Sequence, residues 1–345
     1  MIIEALYLPQ FHRFDENDKW WGEGFTEWSN LKNAQSQFKG HSIIKTPIWG
    51  EYDLSNPENM ARQFEYAKHI GVDVFSVYHY WSNGKLLMQR PIENLLERPN
   101  LDFKFYFNWG NHSFFNKIHF SNKKLLWKQE YSDLFINSHV RYLHRAMEDR
   151  RYHRIGDKPV LNIYDPRNIP NFSDYLSMYK ELFLKKFGTE LHLRVTLKDY
   201  KDIVLINKNR ELIDSVYEYQ PYLANHSTPF RHYFYELKLR FGRDLLKTIS
   251  IFDANEIVKK IVHGKKNFND MPYGFGAYTG WDTTPRWGAK GIVHKNFENE
   301  MLNLQISAAQ KKAQQDDFIV ITAWNEWGEG AIMEPCKERQ SFNLL

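Results

Sequence analysis

"FIVITAWNEWGEG", residues 318–330, runs from six apolar or β-branched residues straight into two tryptophans, two carboxylates and two glycines. A short apolar run of this kind reads as a strand buried on both faces. A cluster of polar and aromatic side chains at its C-terminal end is what a barrel enzyme places around its active site. The same pairing recurs upstream. Apolar strands are expected at 2–8, 72–78, 103–107, 159–163, 191–196, 214–218, 273–278 and 318–323. Amphipathic helices are expected at 56–69, 86–97, 131–149, 173–187, 200–212, 230–246, 254–263 and 295–315. Strands alternating with helices call for a parallel sheet, and eight of them in 345 residues favour a (β/α)8 TIM barrel with long βα loops over a doubly wound sheet. The 22 residues after Ala323 leave the eighth helix truncated. No repeat, low-complexity linker or Pro/Ser-rich hinge divides the chain, so residues 1–345 are read as a single barrel domain.

Composition narrows the function. The mean hydropathy of −0.62 and 26% charged residues go with the lack of any apolar run near the ~18–20 residues of a membrane span. "MIIEALYLPQF" carries Glu4, has no basic region and has no small-residue cleavage site, so no secretory signal is expected. The single Cys336 excludes an intrachain disulfide and a cysteine-based zinc site, and cytoplasmic residence is the default. A formal charge of +4 is too dilute for a nucleic-acid stripe. The cluster "KKIVHGKK" at 259–266 is expected to be a solvated helix face, with weak attraction to anionic lipid or sugar phosphate as the alternative.

The segments after the expected strands carry the chemistry: "YLPQFH", "YHYWSNG", "NWGNH", "YDP", "YQPY", "TGWDTTPRWG" and "WNEWGEG", with "LKDY" after the fifth the least distinctive. Of 11 tryptophans only Trp127 lies outside these loops. A sugar ring offers an apolar C–H face beside hydroxyls, so such a rim reads as a stacking surface for a glycan; packing of the loops on one another is the alternative. On this basis Tyr7, Gln10, His12, Trp28, Tyr78, His79, Tyr80, Trp81, Asn108, Trp109, Trp281, Trp324, Asn325 and Trp327 are expected to contact substrate. Glu27 either joins them or braces its loop, and Asp282 and Arg286 either clamp a polar sugar or pair with each other. Trp81 and Trp281 are expected to share one cleft with Glu326 and Glu329.

Glu326 and Glu329 stand at i, i+3, but Gly328 and Gly330 break a helical pattern, so a tight loop is expected to turn both into the barrel mouth. Two carboxyl groups held in unequal surroundings can divide into acid and base, which glycosidic-bond chemistry requires; a structural hydrogen-bonding role is the alternative. No cofactor is expected. His12, His79 and His112 lie on separate loops without metal-ligand spacing, and no phosphate loop is present, since no capped helix follows the glycines of "YGFGAYTG".

Taken in order from Leu6 to Pro335, "YLPQFH", "WWGEGFTEWSN", "YDLSNPE", "YHYWSNGK", "GWDTTPRWG" and "AWNEWGEGAIMEP" closely resemble WbsX-type, glycoside hydrolase family 99-like proteins found with bacterial surface-polysaccharide genes. The resemblance implies a TIM barrel related to endo-α-mannosidases and an oligo- or polysaccharide substrate. It implies Glu326 as the base that deprotonates the sugar 2-hydroxyl, giving a 1,2-anhydro intermediate, and Glu329 as general acid/base at the leaving oxygen. "NWGNHSFFNK" departs from that pattern, with His112 near the place of a carboxylate, which predicts different polar groups on the substrate there. The competing expectations are a glycosyltransferase using a nucleotide- or lipid-linked donor, and a non-catalytic glycan-binding barrel.

Overall fold

The computed structural model describes residues 1–116, 124–226, 228–246 and 248–344. Its centre is a closed barrel of β1 (Ile3–Tyr7), β2 (Val74–Ser82), β3 (Lys104–Trp109), β4 (Lys158–Ile163), β5 (His192–Leu197), β6 (Ser215–Glu218), β7 (Tyr273–Tyr278) and β8 (Phe318–Thr322). Every neighbouring pair is parallel. β1 closes the ring, with Ala5 beside Phe75 of β2 on one side and Ile321 of β8 on the other. All eight strands form where the apolar runs place them, because strands enclosed by a helical layer are buried on both faces.

The outer layer consists of α1 (Pro57–His69), α2 (Arg90–Leu96), α3 (Asp133–Met147), α4 (Phe172–Phe187), α5 (Tyr200–Lys208), α6 (Pro229–Leu239), α7 (Ala254–His263) and α8 (Asn299–Lys312). Their starts follow local chemistry. Asn56 accepts from the Glu58 amide with Pro57 next to it, and Asp199 accepts from the Lys201 amide. Two helix starts differ from expectation by four residues. Residues 85–87 fold back antiparallel on β2 through the Asn83-Gly84 turn, both at positive φ, so α2 starts at Arg90 and not at 86. Residues 292–295 pair in parallel with Ser250–Asp253, so α8 starts at Asn299 and not at 295. After Thr322 the described residues form no helix longer than the turn Trp327–Glu329; Asn325–Glu326 pairs with Ala331–Ile332, and Cys336 bridges antiparallel to Pro47. No helix among the described residues is long and apolar enough to cross a membrane.

The barrel interior is polar in layers. At the bottom, buried Arg194 donates to Glu4 (2.6 Å) and to the Tyr106 hydroxyl (2.9 Å), and its guanidinium lies 3.9 Å from the Phe318 ring centre. Above this, Asn162 donates to Asn108 (2.7 Å) and Thr196 (2.9 Å). These partners meet most of the polar groups that leave water, as burial demands, although Glu4 Oε1 and Asn162 Oδ1 are buried without a hydrogen bond. Between strands and helices the core is apolar, with Phe75 packed on Phe103 at 4.5 Å.

Candidate active site

A cleft of ≈ 820 Å³ opens at the C-terminal ends of the strands. Its floor is built around Arg286, on the short helix Thr284–Trp287 after β7. This guanidinium donates through Nη2 to Glu326 (2.6 Å), through Nη1 to Glu329 (2.8 Å) and through Nε to Glu27 (3.1 Å). None of the four side chains is more than 20% exposed. Glu27 is the first residue of Glu27–Lys32, a helix held by the Thr26/Ser29 capping box. The sequence left open whether Arg286 pairs with Asp282; it pairs with three glutamates.

Three carboxylates around one cation leave excess negative charge in a site with little water, so the cluster retains a proton. Glu326 has the strongest claim on it. Burial, then repulsion from Glu329 and Glu27, push its pKa up to about 8 while Arg286 opposes the rise. Burial alone would lower Arg286, but the three glutamates more than reverse this and hold it well above its ordinary value.

The two glycines of the motif are close approaches. A Cβ on Gly328 would lie 2.5 Å from Arg286 Nε and 2.9 Å from Glu27 Oε2. Gly330 has φ of +65°, and its Cβ would meet the Asp282 amide at 2.9 Å. The two tryptophans serve Glu334. Trp324 Nε1 (3.1 Å), Trp327 Nε1 (2.6 Å), the Tyr52 hydroxyl (2.7 Å) and Gln63 Nε2 (2.6 Å) all donate to its carboxylate. Burial raises the Glu334 pKa to about 7, and the four donors pull the other way. Asn325 takes the place of a backbone rung: its Oδ1 accepts from the Leu8 amide (2.7 Å) and its Nδ2 donates to the Leu8 carbonyl (2.9 Å).

Among the residues expected to contact substrate, Gln10, Glu27, Tyr78, Tyr80, Arg286, Glu326 and Glu329 line the cleft. The others do not, and for the strand residues the reason is alternation. Tyr7, His79, Trp81 and Trp109 point outward. Tyr7 donates to Gln63 of α1 (2.6 Å), His79 shares a 2.9 Å hydrogen bond with His139 of α3, and Trp81 stacks on that same ring at 4.9 Å. Trp109 donates to the Trp81 carbonyl and packs against Tyr179. Asn108 points inward but lies in the layer below, and Trp324, Asn325 and Trp327 brace the motif as described. Trp28 packs between Phe11 and Trp327, Trp281 is buried edge-on to Tyr222, and His12 is buried beside Phe14. Asp282 accepts from Thr284 N and Oγ1 and lies 2.9 Å from His41 Nε2, fixing the loop that carries Arg286.

The rim of stacking tryptophans is thereby corrected. Trp20, Trp21 and Trp287 line the cleft, whereas Trp81 and Trp281 do not. Tyr164 and Tyr219, from "YDP" and "YQPY", are absent from the expected set, yet both line the wall, Tyr164 standing edge-to-face with Tyr78 at 5.3 Å and with Tyr219 at 5.4 Å. His112 lines it too, 6.1 Å from the Tyr80 ring.

Residues 3–344 match the model of the family described as glycosyltransferase WbsX. The chain belongs to that family. It is 29% identical over 96% of its length to the uncharacterized protein WxcX of Xanthomonas campestris pv. campestris, in each of two strains, and spans 47% of those relatives' own length. Among solved structures, the family 99 endo-α-mannosidase of Bacteroides thetaiotaomicron in complex with bis-tris-propane superposes with a TM-score of 0.61 at 18% identity, covering 99% of this chain and 90% of that one. A glycoside hydrolase-like protein superposes with a TM-score of 0.60 at 12% identity, over 98% and 87%. At these identities the structural likeness speaks to the TIM-barrel fold, which it shares.

Proposed function

We propose that this WbsX-family chain is a carbohydrate-active enzyme that cleaves or transfers a glycosidic bond in a bacterial surface polysaccharide, with Glu326 and Glu329 as its reacting carboxyl groups. The observation that carries this is the convergence of both on Arg286 at the mouth of the barrel, with Glu326 raised to about 8. A base whose conjugate acid lies near working pH removes a hydroxyl proton most effectively. In the forward step Glu326 takes the proton of the sugar 2-hydroxyl, that oxygen attacks C1, and the bond to the leaving oxygen breaks as Glu329 donates a proton to it. Water or an acceptor hydroxyl then opens the 1,2-anhydro ring with the roles reversed, so configuration is retained. The route belongs with substrate-assisted exceptions to the two-carboxylate scheme. It requires the pair's single proton to sit on Glu329 at the moment of reaction, whereas Glu326 has the stronger claim on it, so the reacting form is the minor one of the singly protonated pair.

The test treats the two glutamates separately. Glu329→Gln removes the proton donor, so turnover of natural glycans falls roughly 10²–10⁴-fold while activated aryl glycosides are largely spared. Glu326→Gln abolishes both. Equal losses on both substrates would sink this division of roles, and no turnover of either by the wild type would leave a glycan-binding barrel. The family's own description favours a second reading, sugar transfer from a nucleotide- or lipid-linked donor, for which Arg243 and Lys290 in the cleft wall are suitable cations. Strict dependence on such a donor would select it.

A further inference from the structure

We infer that the outer face of α6 and the turns after it form a docking surface for an anionic lipid bilayer. An amphipathic helix ordinarily turns its apolar stripe inward. Here the helix is reversed. Tyr235 and Leu239 hold it to the body of the protein, Tyr235 stacking on Phe252 at 5.1 Å. Phe230 (73% exposed), Tyr233 (61%), Phe234, Leu237, Phe241 and Leu245 face water. Their spacing of three or four residues keeps all six within one stripe, continued along the π-helical stretch Arg240–Leu245. Ordinary surfaces carry apolar side chains singly, and a continuous strip of aromatic and leucine side chains marks a contact surface.

Charge identifies what lies against it. Residues 229–266 hold nine Lys and Arg against four Asp and Glu, in a chain with 46 against 42, so the rest of the protein carries 37 against 38. The whole positive excess therefore sits in α6, α7 and the segments flanking them. The pKa of Lys260 is lowered first by burial and then by the nearby cations Arg231 and Lys238, with Glu256 opposing, a crowding of positive charge beside the helix that a layer of lipid phosphates relieves. Aromatic and leucine side chains on one face with cations beside them is the chemistry of a helix lying in a headgroup layer.

Position supplies the purpose. A hollow of ≈ 540 Å³ beside α6 is lined by Tyr233 and Leu237 of the stripe and by Arg243, which also lines the active-site cleft. Docking on this face sets the cleft beside the headgroup layer, where it meets glycans still attached to a lipid. That last consequence rests on the proposed glycan chemistry; the docking itself does not.

The experiment is co-sedimentation of the full chain with vesicles of phosphatidylcholine containing about 30 mol% phosphatidylglycerol, against vesicles of phosphatidylcholine alone. The wild type should sediment with the anionic vesicles and be released by salt. Phe230→Ser/Phe234→Ser/Phe241→Ser should lose roughly tenfold or more in partitioning, and Arg231→Glu/Lys260→Glu should lose the preference for anionic lipid. These residues lie outside the cleft, so hydrolysis of a soluble oligosaccharide should continue in both variants. Wild-type protein that stays in the supernatant, or a triple variant that sediments equally well, overturns the inference. A wild-type dimer by light scattering that the triple variant converts to a monomer also overturns it, since a second copy then covers the stripe. Failure to bind vesicles with glycan turnover intact sinks docking alone, and vesicle binding without turnover sinks only the glycan reading.

Discussion

Arg286 decides what its neighbours can do, because one guanidinium serves three carboxyl groups. Without it, burial and mutual repulsion act on Glu326 unopposed, and its affinity for a proton rises further. The reaction needs one proton on the pair, and that proton is lost as pH rises past about 8, so the alkaline limb of the rate profile should lie near pH 8 in the wild type and move to higher pH in Arg286→Gln. Profiles of kcat/KM between about pH 5.5 and 9.5 would show it; an alkaline limb at the same pH in both proteins would remove the electrostatic basis of the assignment. Gly328 protects the same contact, since any side chain there would occupy the space of the Arg286 Nε–Glu27 pair.

At the level of elements, the face a residue takes separates recognition from support. Trp20 is partly buried at the cleft with edge contacts to Phe14 and Phe114, whereas Trp81 is buried on His139 and Tyr142. Trp20→Ala should therefore weaken glycan binding with little change in Tm, while Trp81→Ala should cost about 3–5 kcal/mol of stability. Calorimetric binding and thermal melts on the two variants check this, and the reverse pattern would contradict it. The strands were legible because runs such as "FIVIT" and "VFSVY" admit few other structures in this context. The face each residue takes was harder to read, because a strand buried on both sides has no apolar/polar alternation to follow. One signal was available. Glu4, Ser76 and Asn108 are polar residues inside otherwise apolar strands, they point to the barrel axis, and residues at even spacing from them, Leu8, Tyr78 and Tyr80, face the cleft. Residues at odd spacing, Tyr7, His79, Trp81 and Trp109, meet the helices. The aromatic richness of the loops misled for a different reason: long loops need a core of their own, and Trp28, Tyr52 and Trp327 packed around Glu334 provide it.

For the molecule as a whole, buried histidines set the response to acid. Burial lowers His79 to about 3, His153 to about 4, His192 to about 2, His226 to about 4 and His294 to about 3. Below pH 6.5 the unfolded chain takes up protons that the folded chain refuses, so each contributes stability that is lost as pH falls, about 2 kcal/mol by pH 5. Glu326 and Glu334 act in the opposite sense. Their raised values contribute stability that is full below about pH 4.5 and lost as pH rises through about 8 and about 7. Five histidines outweigh two glutamates on the acid side, and the glutamates act alone on the alkaline side. Urea midpoints should therefore peak near pH 6.5 and fall toward both pH 5 and pH 8; a midpoint that climbs steadily to pH 5 would refute this balance. The Leu8–Asn325 tether joins positions 317 residues apart, and the strand beside it is enclosed only when β8 arrives. At ~5–20 residues per second a ribosome needs on the order of half a minute to make the intervening chain. Throughout that time β1 waits with an open edge, and Glu326 and Glu329 have not yet been made. The first 325 residues are therefore made before either carboxyl group exists, and until β8 has been made β1 has a partner on one side alone.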